Sequence, residues 1–359
     1  MSTHPYRGLP ADQFWTTAIA PVPARDLDPV RSFKFTISAS EPVATAGSCF
    51  AQHVGQHLKQ TGGNFLQTED AGAADEPVFS ARFGTIATTR QLRQLLLGAY
   101  GLHRPHIRVW RRPDGRFIDP QRPQLFPDGF KTPEDVVAAR RRHLEAVRRM
   151  VQDCRVFIFT LGQTEAWLAD DGTALPVPPG AVEVELPGNG ATFTNLTADD
   201  MRRDMDAFLA DLCAVNPDIR VILTVSPVPL VATYMPRHVL VSNTYSKAAL
   251  RVVAEEVARA HTAVEYFPSY EILTAPQARG GYFDADFRGI TAAGLAHVMH
   301  LFTTHMMRDT AAAPAPAAAN PALAPARPAP VITEAARAQD AAMVEILCEE
   351  DVLSSRSAR

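Results

Sequence analysis

The sequence predicts a three-layer α/β/α sandwich built on a parallel, doubly wound sheet, and three patterns predict it. Two continuous apolar runs, RVFIFTL at 155–161 and IRVILTV at 219–225, have strand length and read as strands covered on both faces. Longer helical patterns separate the strand candidates, as crossovers between parallel strands require. A run of small and β-branched residues at 42–46 passes directly into Gly47-Ser48-Cys49-Phe50 and then a helical pattern, a strand–turn–helix unit.

In chain order, residues 1–39 are a polar, proline-bearing lead-in, and the domain is expected over 40–309. Strand 42–46 is followed by helix 51–60, with Val54 and Leu58 four apart on one face. A second helix is expected at 90–100. The third, at 133–152, has Thr132 as its cap and Pro133 in its first turn. After strand 155–161, Gly, Pro and the alternating VEVEL run suggest an inserted β-hairpin within 166–195. Helix 198–215, strand 219–225, helix 242–260 (capped by Asn243 or Ser242), strand 264–267 and helix 291–307 complete the domain. Residues 310–332 read as a linker, because 311–330 contain eleven Ala and six Pro and have almost nothing to bury. Residues 333–359 read as a short helix and flexible C-terminal tail, with Ala336, Met343, Val344 and Leu347 as a face for a protein partner.

Composition bounds the class. The chain has 359 residues, 46% of them hydrophobic, and a formal net charge of -4, which supports a real core and excludes disorder of the whole chain. The 35 basic residues against 39 acidic ones give no bulk attraction to nucleic acid or to an anionic membrane. No run approaches the ~20 apolar residues of a membrane span, and the opening MSTHPYRGLPADQFW lacks the apolar stretch of a signal peptide. The four cysteines are far apart, with no CxxC. No metal, cofactor or disulfide framework is therefore expected, and the expected compartment is the reducing cytoplasm.

In open parallel sheets ligands bind beyond the carboxyl ends of the strands, so the residues following each strand carry the functional signal. Gly47 permits a tight turn, and Ser48 falls where a helix presents free amides, a place suited to a nucleophile or to a simple cap. Cys49 is the rival nucleophile, or a small buried hydrophobe. After RVFIFTL come Gly162, Gln163, Thr164 and Glu165: Gln163 or Thr164 to donate to an oxyanion, Glu165 to orient a base or to cap. Ser226-Pro227-Val228-Pro229 is a rigid exit from the next strand, and Lys247 is expected to face solvent.

These residues also carry a family resemblance. Gly47-Ser48-Cys49-Phe50-Ala51 spells the signature of the GSCFA family, and FSARFGTIATTRQLRQLL, FTLGQTEAW, SPVPL, HVLVSNTYSKAALR and FRGITAAGLAHVM resemble its further blocks in order, over roughly 40–308. The family is regarded as a branch of the SGNH (GDSL-like) hydrolases, which implies the sandwich fold already read. By resemblance Ser48 is the first-block serine, Gly84 the second-block glycine of the oxyanion hole, and 162–165 the third block. Thr164 stands where the superfamily has asparagine. The last block should read Asp-x-x-His, but Asp286-Phe287-Arg288-Gly289 has glycine at the histidine position.

Among the remaining histidines, His53 and His57 lie one turn apart on a helix and are expected at the surface. His297 and His300 are expected at the solvent side or rim of the last helix, and His261 at a helix end. His238 follows a strand exit and is the expected substitute base, with Glu165 or Asp286 acting directly as the alternative. Asp286 and Arg288 are site candidates, Arg288 as a clamp for an anionic group. The resemblance implies a serine hydrolase or acyltransferase acting on an ester, with a small-molecule or carbohydrate substrate. The missing histidine favours the alternative, a non-catalytic carbohydrate- or acyl-binding domain. Because 311–330 has so little to bury, truncation after Asp309 should leave the melting temperature within a few degrees. A large loss of stability would show that the tail completes the core.

Overall fold

A computed structural model describes residue 6 and residues 8–69, 79–184 and 190–308. The expected linker and terminal helix lie outside the described residues. Four parallel strands form the central sheet: β1 (Val43–Gly47), β2 (Val156–Leu161), β3 (Arg220–Val225) and β4 (Val264–Tyr266), in the order β4-β3-β2-β1. Beyond β1, Phe65 makes a parallel bridge to Val43, so the chain visits the outer side of β1 before crossing to β2. Helices α1 (Phe50–Gln60), α2 (Thr89–Ala99), α3 (Pro133–Asp153), α4 (Ala198–Val215), α5 (Val239–Ala260), α6 (Ser269–Thr274) and α7 (Ala292–Met306) cover it.

Alternation along the strands feeds two cores. Phe157, Phe159, Val221 and Leu223 pack with residues of α2, α3, α4 and α5, including Leu92, Val147, Leu209 and Leu250. Val43, Ile158 and Ile222 pack on the other face with Phe50 and Leu58 of α1, Ile272 of α6 and Phe302 of α7. The connections leaving β1 and β2 therefore run to opposite faces, which makes the carboxyl ends of these two strands the topological switch point of the sheet.

Most expected elements are present within a residue or two. One boundary shift matters: α5 begins at Val239 with His238 as its cap, not at 242 with Asn243 or Ser242. Asn243 Oδ1 instead accepts the Leu230 amide at 3.0 Å. The inserted hairpin is a three-stranded antiparallel sheet of Glu165–Leu168, Ala174–Leu175 and Thr192–Asn195. Val182 to Val184 of the VEVEL run lie outside any strand, and the rest of that run lies outside the described residues. The lead-in is more than a leader. Ile37–Ser38 pairs in parallel with Met307–Arg308, Ile37 is buried, and Lys34 Nζ reaches the Val264 carbonyl at 2.8 Å.

A charged cluster fastens the segment outside β1 to α3. His143 Nδ1 donates to Glu69 at 2.6 Å, and buried Arg122 lies between Asp119 (2.9 Å) and Glu69 (3.4 Å). Burial, reinforced by the Arg122 charge, pushes His143 down to about 4. Burial alone would raise Glu69, but the His143 hydrogen bond and the Arg122 charge outweigh it and hold it at about 2. Both folded-state values lie below the unfolded ones, so their stabilisation is complete above about pH 6.5 and is lost as pH falls, first through His143 and then through Glu69. Urea unfolding measured between pH 7 and 4 should therefore show stability declining with acid, with a shallower decline in His143→Gln. An unchanged slope in the variant would contradict this.

Candidate active site

Ser48 directly follows the carboxyl end of β1 and is 7% exposed. Its position depends on Gly47, whose φ of +136° belongs to the left-handed half of the map and whose Cα lies against Thr160 of β2. A Cβ at residue 47 would collide with the Thr160 carbonyl oxygen, so only glycine lets β1 end this close to β2. The Ser48 amide then donates to the Thr160 carbonyl at 3.1 Å, and the Ser48 carbonyl takes the Ala51 amide at 2.9 Å as α1 begins.

The Ser48 hydroxyl does not cap that helix. Cys49 holds the N-cap position without a side-chain cap bond, and Ser48 Oγ is buried with no hydrogen-bond partner among the described residues. A buried hydroxyl without a partner is unfavourable by about 1–3 kcal/mol and is uncommon in native folds. Cys49 is half-buried.

Segment 84–87 forms the adjoining wall. The Ile86 amide donates to the Gly47 carbonyl at 2.9 Å, bringing Gly84 (φ +69°) beside the end of β1. The Gly84 amide has no hydrogen bond among the described residues. The Ala87 carbonyl accepts the amides of both Gly162 and Gln163 at 3.0 Å. A Cβ on Gly162 would approach that same oxygen to 2.9 Å. Two candidate oxyanion donors are thus engaged in holding the wall. The Thr164 amide is also engaged, donating to Ser246 Oγ at 3.1 Å, whereas Thr164 Oγ1 is buried and unpartnered.

Lys247 departs from its expected place at the surface. It is 2% exposed, and its ammonium donates to the Gly162 carbonyl at 2.9 Å, fixing the turn after β2 from behind. Leu250, Ala254 and Val257 continue its stripe along α5 at helical spacing, a signal present in the sequence. Glu165 accepts a hydrogen bond from Thr233 Oγ1 (2.5 Å) and another from the Tyr234 amide (3.0 Å), which pins loop 229–238 over the inserted sheet. Gln163 Nε2 donates to the Glu165 carbonyl at 3.0 Å.

The model of the GSCFA family matches residues 42–302. The chain belongs to that family. Among curated proteins, none matches it. Solved structures similar to it include a carbohydrate esterase family 3 from Talaromyces cellulolyticus, 13% identical, over 74% of this chain and 95% of that one, with a TM-score of 0.29, and a Clostridium thermocellum family 3 carbohydrate esterase, 11% identical, over 74% and 94%, with a TM-score of 0.26.

The GSCFA blocks around Gly47-Ser48, 84–87 and 162–165 meet at one edge of the sheet through the bonds above. The last block forms the turn before α7. Asp286 Oδ1 accepts the amides of Arg288 (2.9 Å) and Gly289 (3.1 Å), closing an exposed turn in which Phe287 has a φ of +57°. Arg288 reaches the Pro229 carbonyl at 3.5 Å. The side chain of Asp284 occupies the volume a Cβ on Gly289 would need, so no histidine fits there without displacing it.

The expected substitute, His238, is exposed and serves as the cap of α5, its Nδ1 accepting the Leu240 amide at 3.2 Å. A neutral imidazole that accepts through Nδ1 carries its proton on Nε2, so this ring takes up a serine proton only after releasing the cap. His57 is not a surface residue: it is half-buried against Thr303 at 2.7 Å, and burial lowers its pKa. His297 is likewise buried, bonded through Nδ1 to the Tyr282 hydroxyl at 2.9 Å, with burial the main force lowering its pKa. His261 pairs with Asp206 at 3.2 Å. Among the described residues no cluster of His, Cys, Asp and Glu is placed to hold a metal, and no helix is long and apolar enough to cross a membrane.

Replacing Gly47 by alanine tests the close approach that positions Ser48. The variant should lose about 2 kcal/mol or more of unfolding free energy, from backbone strain and the collision with Thr160. A variant as stable as the parent in urea unfolding would contradict the geometry.

Proposed function

We propose that this GSCFA-family chain is a serine ester hydrolase or acyltransferase, with an acyl group carried on a carbohydrate as its substrate. The observation that carries this reading is the buried, unpartnered Ser48 hydroxyl at the carboxyl end of β1, held beside the start of α1 without capping it. Ser48 Oγ attacks the acyl carbonyl carbon and gives up its proton. The carbonyl oxygen takes the negative charge, stabilised by the amides at the start of α1, the Gly84 amide and the Thr164 hydroxyl. The intermediate collapses with loss of the alcohol, which receives a proton, and leaves an acyl-serine. Water then releases the acid, or a second hydroxyl accepts the acyl group.

The serine proton passes to His238, Glu165 or Asp286 once that group leaves its present hydrogen bond, or to water. His238, Glu165 and Asp286 are each engaged in structural hydrogen bonds, and among the described residues no side chain is bonded to Ser48 Oγ. A triad enzyme lacking its base loses several orders of magnitude in rate, so slow turnover is expected. The same observation supports a second reading, a carbohydrate- or acyl-ester-binding domain without turnover.

Hydrolysis of 4-nitrophenyl acetate separates these readings. Ser48→Ala should abolish turnover, and Cys49→Ala should keep most of it. His238→Ala should reduce turnover by less than about tenfold, because the ring is occupied as a cap. Equal loss in Ser48→Ala and Cys49→Ala would point to the thiol. A loss of several orders in a folded His238→Ala protein would assign that ring as the base. Absence of turnover in the parent, with ester binding intact, would favour the binding domain.

A further inference from the structure

Beside the site, the inserted sheet presents a mixed face. Trp167 and Phe193 are cross-strand partners, and the next pair on the same face is Glu165 and Asn195. The Trp167 and Phe193 rings meet edge to face at 5.5 Å. Tyr234, from loop 229–238, packs across both, at 4.8 Å from Trp167 and 5.0 Å from Phe193, yet remains 66% exposed. Covering a small hairpin core does not require a ring left this open, nor a carboxylate to hold it.

The loop is held in place before any ligand arrives. Glu165 takes the Thr233 hydroxyl and the Tyr234 amide, and Thr233 Oγ1 also bonds Ser242 at 2.8 Å. Both carboxylate oxygens are therefore engaged in positioning the loop. The loop that carries Tyr234 also carries two exposed or half-buried donors: His238, whose cap leaves the proton on Nε2, and Arg237, bonded to Ser242 and lying over Tyr245 at 5.1 Å. Rigid aromatic faces on a loop that also supplies hydrogen-bond donors match a pyranose, which has an apolar C–H face and a rim of hydroxyls. An aliphatic acyl chain would use the rings and make no use of the donors.

The sheet that carries the face is linked to the Ser48 turn through the backbone. Glu165 is three residues after Gly162, which is tied to Ala87, and neighbouring Ile86 is tied to Gly47. We infer that Trp167, Phe193 and Tyr234 form a stacking subsite for a sugar ring, so that the ester attacked at Ser48 is borne on an oligosaccharide and not on a small free alcohol. The inference rests on the proposed ester chemistry only for what happens at Ser48; the sugar site stands or falls by binding.

The test is a titration of the full chain carrying Ser48→Ala with neutral xylo-, cello- and chito-tetrasaccharides, followed by tryptophan fluorescence and calorimetry. At least one of the three should give a saturable signal, and adding Tyr234→Ala should weaken it by about tenfold or more, the loss of one stacking contact. Tyr234→Ala should keep the parent's melting temperature, since the ring is mostly exposed, and Trp167→Phe should retain most of the affinity by preserving an aromatic face. No signal from any of the three sugars, or binding unaffected by Tyr234→Ala, would overturn the inference. Sugar binding that persists in a protein whose parent shows no ester turnover would leave this subsite standing and remove the esterase reading alone.

Discussion

The structure at the functional edge depends on one close contact, the passage of Gly47 against Thr160. Without a Cβ, β1 ends within reach of the β2 backbone, and the Ser48 amide is captured by the Thr160 carbonyl. That capture turns the chain into α1 with the Ser48 hydroxyl buried at the carboxyl end of β1. The Gly47 carbonyl, left free by the same turn, receives the Ile86 amide and so draws in the segment carrying Gly84 and Ala87. Ala87 in turn holds Gly162 and Gln163 at the end of β2. A single glycine thus sets three backbone segments around one serine.

The second layer of the arrangement is polar and buried. Lys247 braces Gly162 from behind, and Ser246 holds the Thr164 amide, so the turn after β2 is fixed by α5. The hydroxyls of Ser48 and Thr164 have no partner among the described residues, and the hydroxyls of Thr45 and Thr160 on β1 and β2 share that state, so these unpaired hydroxyls gather on and just beyond the two strands. Ser48 differs from the two strand threonines in following the carboxyl end of its strand, where ligands of open parallel sheets bind.

Much of the fold was legible because its strands are apolar throughout and its helices carry their caps in the sequence. RVFIFTL and IRVILTV have the length and the β-branched and aromatic content of buried strands, and Thr132-Pro133 marks the start of α3 without tertiary help. Elements set by long-range contacts were not legible. The strand at Ile37–Ser38 exists because Met307–Arg308 lies beside it, and Lys34 matters because three carbonyls converge on it. The start of α5 is not legible for a local reason: His238 caps less often than Ser or Asn, so the first good capping residues in the sequence lie too late. The shift bears on function, since it makes His238 a helix cap.

At the site, the identity of Ser48 and the importance of 162–165 could be read from position after a strand. What each atom does there could not, since spacing does not reveal that the Ala87 carbonyl takes two amides or that Asp284 fills the space a histidine at residue 289 would need. The central claim is that Ser48 is a nucleophile and not a structural hydroxyl. Treating the full chain with a fluorophosphonate and locating the adduct by peptide mass spectrometry tests it most directly. The account predicts a single phosphonyl adduct on Ser48, absent in Ser48→Ala and retained in Cys49→Ala; an unlabelled chain, or an adduct elsewhere, would contradict it.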